Sequence, residues 1–182
     1  ITAGDVGTSM ENLISINKAT KHVSGIKLET SAPTAKGIFN AINTTYKFLT
    51  NKELKESTIA ISGIGKVGSK LSKLLFTMNA NLIVSNIGRD VIDQLKQEKI
   101  SFIESDINSI FEQKCDIIAP CALGGAINSE TKKELKCKAI VGAANNQLDN
   151  QKTALWLKEN NIFYAPDYLV NSGGVIAISC EI

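Results

Sequence analysis

Three glycines, Gly63, Gly65 and Gly68, have the spacing in this chain that most directly suggests chemistry. They follow a short apolar run at residues 59–61 and precede residues 67–78, where apolar side chains recur at helical spacing. Between a strand and a helix, the first glycine permits a tight turn, the second lets a pyrophosphate approach the backbone, and the third lets the helix pack on the sheet. The helix N-terminus would then present unpaired N–H groups and partial positive charge to the phosphates. This turn therefore predicts dinucleotide binding, and the alternative is a glycine-rich turn that holds no ligand.

The end of the next apolar run, residues 82–84, departs from the usual dinucleotide pattern. An acidic residue roughly 20 positions after the turn normally accepts hydrogen bonds from the ribose hydroxyls. Here Asn86 holds that position and Ile87 follows it. An amide can bind a hydroxyl but does not repel a 2′-phosphate, and Arg89 could attract one. Because Arg89 could equally be a solvated residue in the first turn of a helix, the sequence leaves NAD and NADP both open.

Length and composition exclude several classes of protein. The chain has 182 residues and 43% hydrophobic content, enough for one domain or for one domain with part of another. Twenty basic and 18 acidic residues are mixed along the chain, which provides no polycationic stretch for nucleic acid. No apolar run reaches the roughly 18 residues of a membrane span.

The cysteines and the histidine argue against metal binding. The four cysteines have no CxxC spacing, and His22 is the only histidine, so we expect no metal site. Scattered thiols in apolar surroundings are typical of reduced, cytoplasmic proteins. We therefore expect a cytoplasmic location.

The rest of the chain alternates short apolar runs with amphipathic segments. We expect helices over residues 10–19, 31–49 and 89–98, and further strands over residues 100–103, 115–121, 138–142 and 162–165. This alternation predicts an α/β fold of the Rossmann type, a doubly wound parallel sheet with right-handed crossovers. Ligands of such sheets lie beyond the carboxyl ends of the strands, so the small, polar loops that end the later strands should converge there.

Four polar side chains in loops could contribute to a site. Asn145, Asn146 and Asn171 carry amides suited to a carboxamide or a carbonyl, and the alternative is that they cap helices or form turns. Asp5 lies in a glycine-broken segment that could hold its side chain at a fixed point, although an aspartate in this setting is usually a turn or capping residue.

Five segments in a single order carry a family resemblance: ITAGDVGTS, GIGKVG, APCALGG, GAANNQL and APDYLVNSGGV. They resemble amino-acid dehydrogenases of the leucine, phenylalanine and valine type, within the glutamate dehydrogenase superfamily. The match covers nearly the whole chain, and the APCALGG and GAANNQL segments look more like the leucine branch. The resemblance implies an oxidoreductase with its active site between two domains, in which oxidative deamination of an L-amino acid gives a 2-oxo acid and ammonia and passes hydride to NAD.

The resemblance also implies a domain division and a role for individual residues. Residues 1–33 would be a helical remnant of the substrate domain, and residues 34–182 would be the dinucleotide-binding domain of a homo-oligomer. Asp5 matches the catalytic aspartate that assists proton transfer, and Asn145 and Asn171 would lie near the substrate. The expected cofactor-binding residues are Thr34, Gly63, Ile64, Gly65, Lys66, Val67, Gly68, Asn86, Ile87, Cys121, Ala122, Ala144 and Asn145.

The family also uses two lysines, one for the substrate carboxylate and one as a base with a lowered pKa. They belong upstream of the aspartate motif, where this chain begins, and the lysines at positions 18, 21, 36 and 66 lie in other contexts. We therefore expect family membership with a branched-chain or apolar amino acid as substrate, but little or no turnover by this chain alone. The alternatives are a non-catalytic dinucleotide-binding module, an oligomerisation remnant, and a methyltransferase, which would leave the three later loops without a role.

Overall fold

A parallel β-sheet forms the centre of the computed structural model, which describes residues 1–4 and 7–179. The strands are β1 (Thr2–Ala3), β2 (Val23–Ser24), β3 (Thr58–Ser62), β4 (Asn81–Ser85), β5 (Ile103–Glu104), β6 (Ile117–Pro120), β7 (Ala139–Ile140) and β8 (Phe163–Tyr164). Six of them form one sheet in the order β5-β4-β3-β6-β7-β8, and every neighbouring pair is parallel. The chain moves outward in one direction from β3 to β5 and in the other from β6 to β8. This doubly wound order confirms the predicted Rossmann-type fold.

Helices cover the sheet. They are α1 (Met10–Ala19), α2 (Ser31–Thr50), α3 (Lys66–Thr77), α4 (Arg89–Gln97), α5 (Gln151–Glu159), α6 (Asp167–Val170) and α7 (Gly173–Ser179). On one face, Ile42 of α2 and Leu71 of α3 pack in a cluster with Ile59 and Ile61 of β3. On the other face, Leu157 of α5 belongs to a second cluster. The central strands are therefore buried on both faces, as all-parallel sheets require.

The helix bounds agree with the sequence to within a residue, whereas β6, β7 and β8 are shorter than expected and β5 is displaced. The helices expected over residues 10–19 and 89–98 are present, and the helix expected from residue 31 begins at Ser31. The strand expected over residues 100–103 is wrong for its first three residues, because Ile100 closes α4 and the next two residues connect α4 to β5 without strand pairing. Lys99 takes a left-handed conformation (φ 59°), and the Ile100 N–H donates to the Leu95 carbonyl at 3.0 Å. Pairing with β4 begins only at Ile103.

The segment before α2 makes a small sheet of its own, in which β1 pairs with β2. The predicted division between residues 33 and 34 falls within the first turn of α2 and stays a prediction. Within residues 1–4 and 7–179, no helix combines the length and apolar character needed to cross a bilayer.

Candidate functional site

The turn after β3 depends on two glycines for close packing. Gly63 adopts φ +92°, a conformation that side chains other than glycine rarely take. A Cβ on Gly63 would lie 2.7 Å from the Cβ of Ala122, and a Cβ on Gly68 would collide with the carbonyl oxygen of Gly63. These glycines therefore bring α3, the turn and the loop after β6 into contact, with Ala122 directly against the turn.

Gly65 is different, because its surroundings are open. It precedes α3 with an ordinary φ of −64°, and its side-chain position has no heavy atom of the described residues within 4 Å, apart from chain neighbours and the helix's own backbone. No side chain in that part of the chain caps α3, and the first turn of the helix contains no acidic residue. Lys66 begins the helix and is exposed. Open space beside an uncapped, positively polarised helix end fits the diphosphate of a dinucleotide.

Asn86 holds this turn to the end of β4. Its Oδ1 accepts a hydrogen bond from the Ile64 N–H at 3.1 Å, and its Nδ2 donates to the Gly88 carbonyl at 2.9 Å. The position is neutral, and the amide keeps spare hydrogen-bonding capacity for a ribose hydroxyl. The neighbouring Ile87 is 89% exposed.

Arg89 is exposed and forms an ion pair with Glu104 of β5. The Glu104 carboxylate also lies 3.4 Å from the Lys96 ammonium, so two cations share one carboxylate. The exposure of Arg89 favours its interpretation as a solvated first-turn residue. A phosphate that approached Arg89 would have to compete with the Glu104 carboxylate.

Cys121 packs against the turn between β3 and α3. Its backbone N–H donates to the Ser62 carbonyl at 2.7 Å, and its Cβ lies 3.5 Å from the side-chain position of Gly68. Burial raises the pKa of the Cys121 thiol to about 12, against a lowering effect of a hydrogen bond with the Ala143 backbone. The thiol is therefore protonated at neutral pH and serves packing, since nucleophilic cysteines need a lowered pKa.

The loops after β6 and β7 are joined by backbone hydrogen bonds. The Ala144 N–H donates to the Pro120 carbonyl at 2.9 Å, and the Gly125 N–H donates to the Asn146 carbonyl at 2.7 Å. Ala144 is buried in this arrangement, whereas Asn145 and Asn146 are exposed.

Sequence reasoning gave no role to Gln147, which is fully buried in the same loop. Its Nε2 donates to the Gly142 carbonyl at 2.8 Å and to the Ala144 carbonyl at 3.0 Å. Gln147 lies between Asn146 and Leu148 in a run of polar residues, so the local sequence gave no signal that this amide would be buried and brace the loop.

Asn171, which follows α6, connects the last strand loop to Asn145. Its Nδ2 donates to the Asn145 Oδ1 at 2.7 Å and to the Ala143 carbonyl at 3.2 Å. The Thr34 hydroxyl donates to the Thr30 carbonyl at 2.8 Å, and a Cβ on Gly174 would lie 2.7 Å from that hydroxyl oxygen. The start of α2 thus packs against α7, immediately after Asn171. Asp5, the expected catalytic aspartate, lies outside the described residues.

The structure thus brings the turn at residues 63–68 together with Asn86, Cys121 and Ala122 at the carboxyl ends of β3, β4 and β6. Ala144 and Asn145 pack on the segment after β6, and Thr34 is placed only against Thr30 and Gly174.

The Glutamate/Leucine/Phenylalanine/Valine dehydrogenase family model matches residues 82–182. This chain belongs to that family. The match confirms the resemblance seen in the five sequence segments, and the family is one of oxidoreductases.

Individual relatives match over the whole chain. Phenylalanine dehydrogenase of Thermoactinomyces intermedius is 39% identical over 100% of this chain and 52% of its own length. Leucine dehydrogenase of Bacillus subtilis is 40% identical with the same two coverages. The crystal structure of L-tryptophan dehydrogenase from Nostoc punctiforme matches with a TM-score of 0.86 and 32% identity, over 100% of this chain and 53% of that one. This chain therefore spans about half the length of the curated relatives it matches.

Within the residues that the structure describes, no three histidine, cysteine, aspartate or glutamate side chains are grouped so that they could hold a metal ion. The roles assigned to Thr34, Asn86, Asn145 and Asn171 stay predictions.

Proposed function

We propose that this chain forms the dinucleotide-binding half of an amino-acid dehydrogenase that oxidises a branched-chain or other apolar L-amino acid to its 2-oxo acid and ammonia. The observation that carries the proposal is the open space at Gly65 beneath the uncapped N-terminus of α3. This space lies at the carboxyl end of β3, next to the point where the strand order reverses, which is where doubly wound sheets bind nucleotides. The names of the relatives support an apolar substrate, since they include leucine, phenylalanine and L-tryptophan dehydrogenases.

The groups of this chain bind and orient the cofactor. The free N–H groups at the start of α3 hold the diphosphate, with Gly65 leaving room for it. Asn86 binds the adenosine ribose, while Asn145 and Asn171 contact the nicotinamide side of the cleft. A dinucleotide held there would supply the hydride acceptor, and the residues of this chain would orient it, exclude water and handle the proton.

Proton transfer falls to Asp5, whose flanking residues agree with the family's aspartate motif on both sides. The substrate carboxylate and the amino group require the two lysines that the family carries upstream of that motif. We therefore propose that the 182-residue chain alone binds cofactor without appreciable amino-acid oxidation. Measurable L-leucine-dependent reduction of NAD by this chain would contradict that proposal.

We propose NAD as the principal cofactor, with only weak discrimination against NADP. Asn86 contributes no negative charge to repel a 2′-phosphate, and a phosphate at Arg89 would compete with the Glu104 carboxylate that Arg89 shares with Lys96, so neither cofactor gains a strong advantage. We also propose that the protein works in the cytoplasm as a homo-oligomer. The buried, protonated thiols support the cytoplasmic location.

Calorimetry with NADH, NADPH and S-adenosylmethionine tests the proposal. We expect NADH to bind, NADPH to bind within about tenfold of it, and S-adenosylmethionine not to bind. Binding of S-adenosylmethionine without NADH would favour a methyltransferase. A folded chain that bound none of the three would contradict dinucleotide binding and leave an oligomerisation remnant as the better interpretation.

A further inference from the structure

Asp167, the first residue of α6, joins the loop after β7 to the loop after β8. One carboxylate oxygen, Oδ2, accepts a hydrogen bond from the backbone N–H of Asn146. The other, Oδ1, accepts from the hydroxyl of Tyr164 at 3.0 Å. Within residues 1–4 and 7–179 the Asp167 carboxylate makes no salt bridge to a lysine, arginine or histidine. Two donors therefore converge on this half-buried side chain, one at each carboxylate oxygen.

The bond to Asn146 orients the peptide unit that follows Asn145. Asn146 has a left-handed backbone (φ 51°), and its carbonyl accepts from the Gly125 N–H at 2.7 Å. The same peptide unit presents the Asn145 carbonyl to Gly124, where a Cβ would lie only 2.6 Å from that oxygen. The backbone around these two asparagines is therefore fixed at an N–H by Asp167 and at its carbonyls by the loop after β6.

The Asn145 Oδ1 accepts a hydrogen bond from the Asn171 Nδ2 at 2.7 Å. Asp167 starts the helix that leads directly to Asn171. One carboxylate thus sets both ends of the Asn145–Asn171 pair, by holding the backbone beside Asn145 and by anchoring the segment before Asn171.

The geometry points to Asp167 as a positioning residue that aligns the Asn145–Asn171 pair with the nicotinamide half of the bound dinucleotide. This inference rests on the proposed function, because it requires a dinucleotide in the cleft. It predicts that Asp167 matters for the nicotinamide end and not for the adenosine and diphosphate, which lie against β3, β4 and α3.

Calorimetry with NADH and with ADP-ribose separates the two halves of the ligand, since ADP-ribose lacks the nicotinamide. For Asp167→Ala we expect NADH affinity to fall about tenfold, the effect of losing a charge-assisted hydrogen bond, with ADP-ribose affinity within about twofold of wild type. Asp167→Asn can still accept from Asn146 while donating to the Tyr164 oxygen. It should therefore recover NADH affinity to within about threefold of wild type.

Asp116→Ala is the matched control. The Asp116 carboxylate also accepts a backbone N–H, from Thr58 at 2.9 Å, and pairs with Lys138 at 2.7 Å, but it precedes β6 at the opposite edge of the sheet. This variant should lower the unfolding temperature and leave the ratio of the NADH and ADP-ribose affinities unchanged.

Suppose that the wild type binds both ligands and that Asp167→Ala leaves the ratio of the NADH and ADP-ribose affinities unchanged. This result would overturn the inference and leave the proposed function intact. Wild-type binding of neither ligand would overturn the proposed function and the inference together. If Asp167→Ala does not fold, amide NMR of the wild type provides the test. The Asn146 N–H signal should then shift on addition of NADH and stay within error on addition of ADP-ribose, and equal shifts would overturn the inference.

Discussion

Helices α3 and α5 both follow strands of the parallel sheet, yet their first turns are built differently. Asn150 caps α5, and its side chain accepts from the N–H groups of Lys152 at 2.8 Å and Thr153 at 3.2 Å. Gly65 precedes α3 and has no side chain to do this, so the first N–H groups of α3 have no side-chain cap among the described residues. A missing cap costs helix stability. The difference fits our proposal that α5 is completed by its own sequence, whereas α3 is completed by the diphosphate of a bound dinucleotide.

Helices α1 and α4 differ in the same way, since a side chain caps the first and a glycine precedes the second. Ser9 caps α1 through a reciprocal pair of hydrogen bonds with Asn12, far in sequence from the glycine-rich turn. Gly88 precedes α4 without a side-chain cap in the described structure, directly after the Asn86 that we assign to the ribose. Among the described residues, side-chain caps are also missing from α2 and α6, so a missing cap distinguishes α3 only together with the open space beside Gly65.

The largest effect is expected from Gly65→Asp, which gives α3 the kind of cap that α5 has. Asp is a favoured capping residue and the position is open, so the unfolding temperature should not fall. A carboxylate near the diphosphate would repel it by roughly 4 kcal/mol at about 4 Å, so NADH affinity should drop about a hundredfold or more. Calorimetry and thermal unfolding measure the two effects. Gly65→Asn is the neutral control with a smaller loss, and undiminished NADH binding by the Asp variant would refute the assignment.

The thiol beneath α3 provides the second prediction. A helix N-terminus can lower a cysteine pKa, but burial dominates at Cys121 and raises its pKa to about 12. In the unfolded chain the cysteine thiol has a pKa near 8.5, so above that pH the unfolded state loses this proton while the folded state keeps it. The free energy of unfolding therefore falls by about 1.4 kcal/mol for each further pH unit. Between pH 9 and 10.5 the wild type should therefore lose about 2 kcal/mol more than Cys121→Ala. Urea unfolding at both pH values checks this, and parallel losses in the two proteins would show that the thiol ionises while folded.

Removing the cap of α5 should lower the stability of the protein without weakening NADH binding, the opposite of the result expected for Gly65→Asp. Asn150→Ala leaves two N–H groups without their acceptor, so the free energy of unfolding should fall by about 1 kcal/mol. NADH affinity should stay within about twofold of wild type, because α5 does not contact the cofactor in our account. Asn150→Asp, which can still cap the helix, is the control. If Asn150→Ala clearly lost NADH affinity and Asn150→Asp did not, the N-termini of α3 and α5 would both contribute to cofactor binding, which contradicts the comparison.

The smallest expected effect concerns Asn86, between the two glycine-capped helices. Asn86→Asp can still accept the Ile64 N–H and adds a charged acceptor for ribose hydroxyls. We expect NADH affinity to rise about threefold and NADPH affinity to fall about fivefold, as the carboxylate repels a 2′-phosphate. The ratio of the two dissociation constants is the measurement. An unchanged ratio would place the ribose away from this residue.

Local sequence patterns predicted the sheet and the glycine-rich turn, whereas the cofactor-binding roles of the residues around that turn stay predictions. The apolar run at 59–61 and the spacing of Gly63 and Gly68 specify strand, turn and helix through backbone geometry within a few residues, so no distant contact was needed to identify them. The family motifs then located Asn145 and Asn171 in converging loops.

Contacts that depend on tertiary structure were not predictable in the same way. The pairing of Asp167 with Asn146 and the buried amide of Gln147 join residues through the folded loops, and nothing in their immediate sequence specifies the partner. The error at residues 100–103 has the same origin. Apolar side chains at Ile100 and Phe102 pack against the core without strand pairing, so their hydrophobicity alone could not distinguish the two states.

Amide NMR of the isotopically labelled chain during titration with NADH tests the central claim most directly, because it observes the helix N-termini themselves. We predict that the largest shifts occur at the N–H groups of Gly65, Lys66 and Val67, while those of Lys152 and Thr153 stay at their starting positions. Saturable NADH binding that shifted the α5 amides, or any other surface, and left the start of α3 unmoved would contradict it.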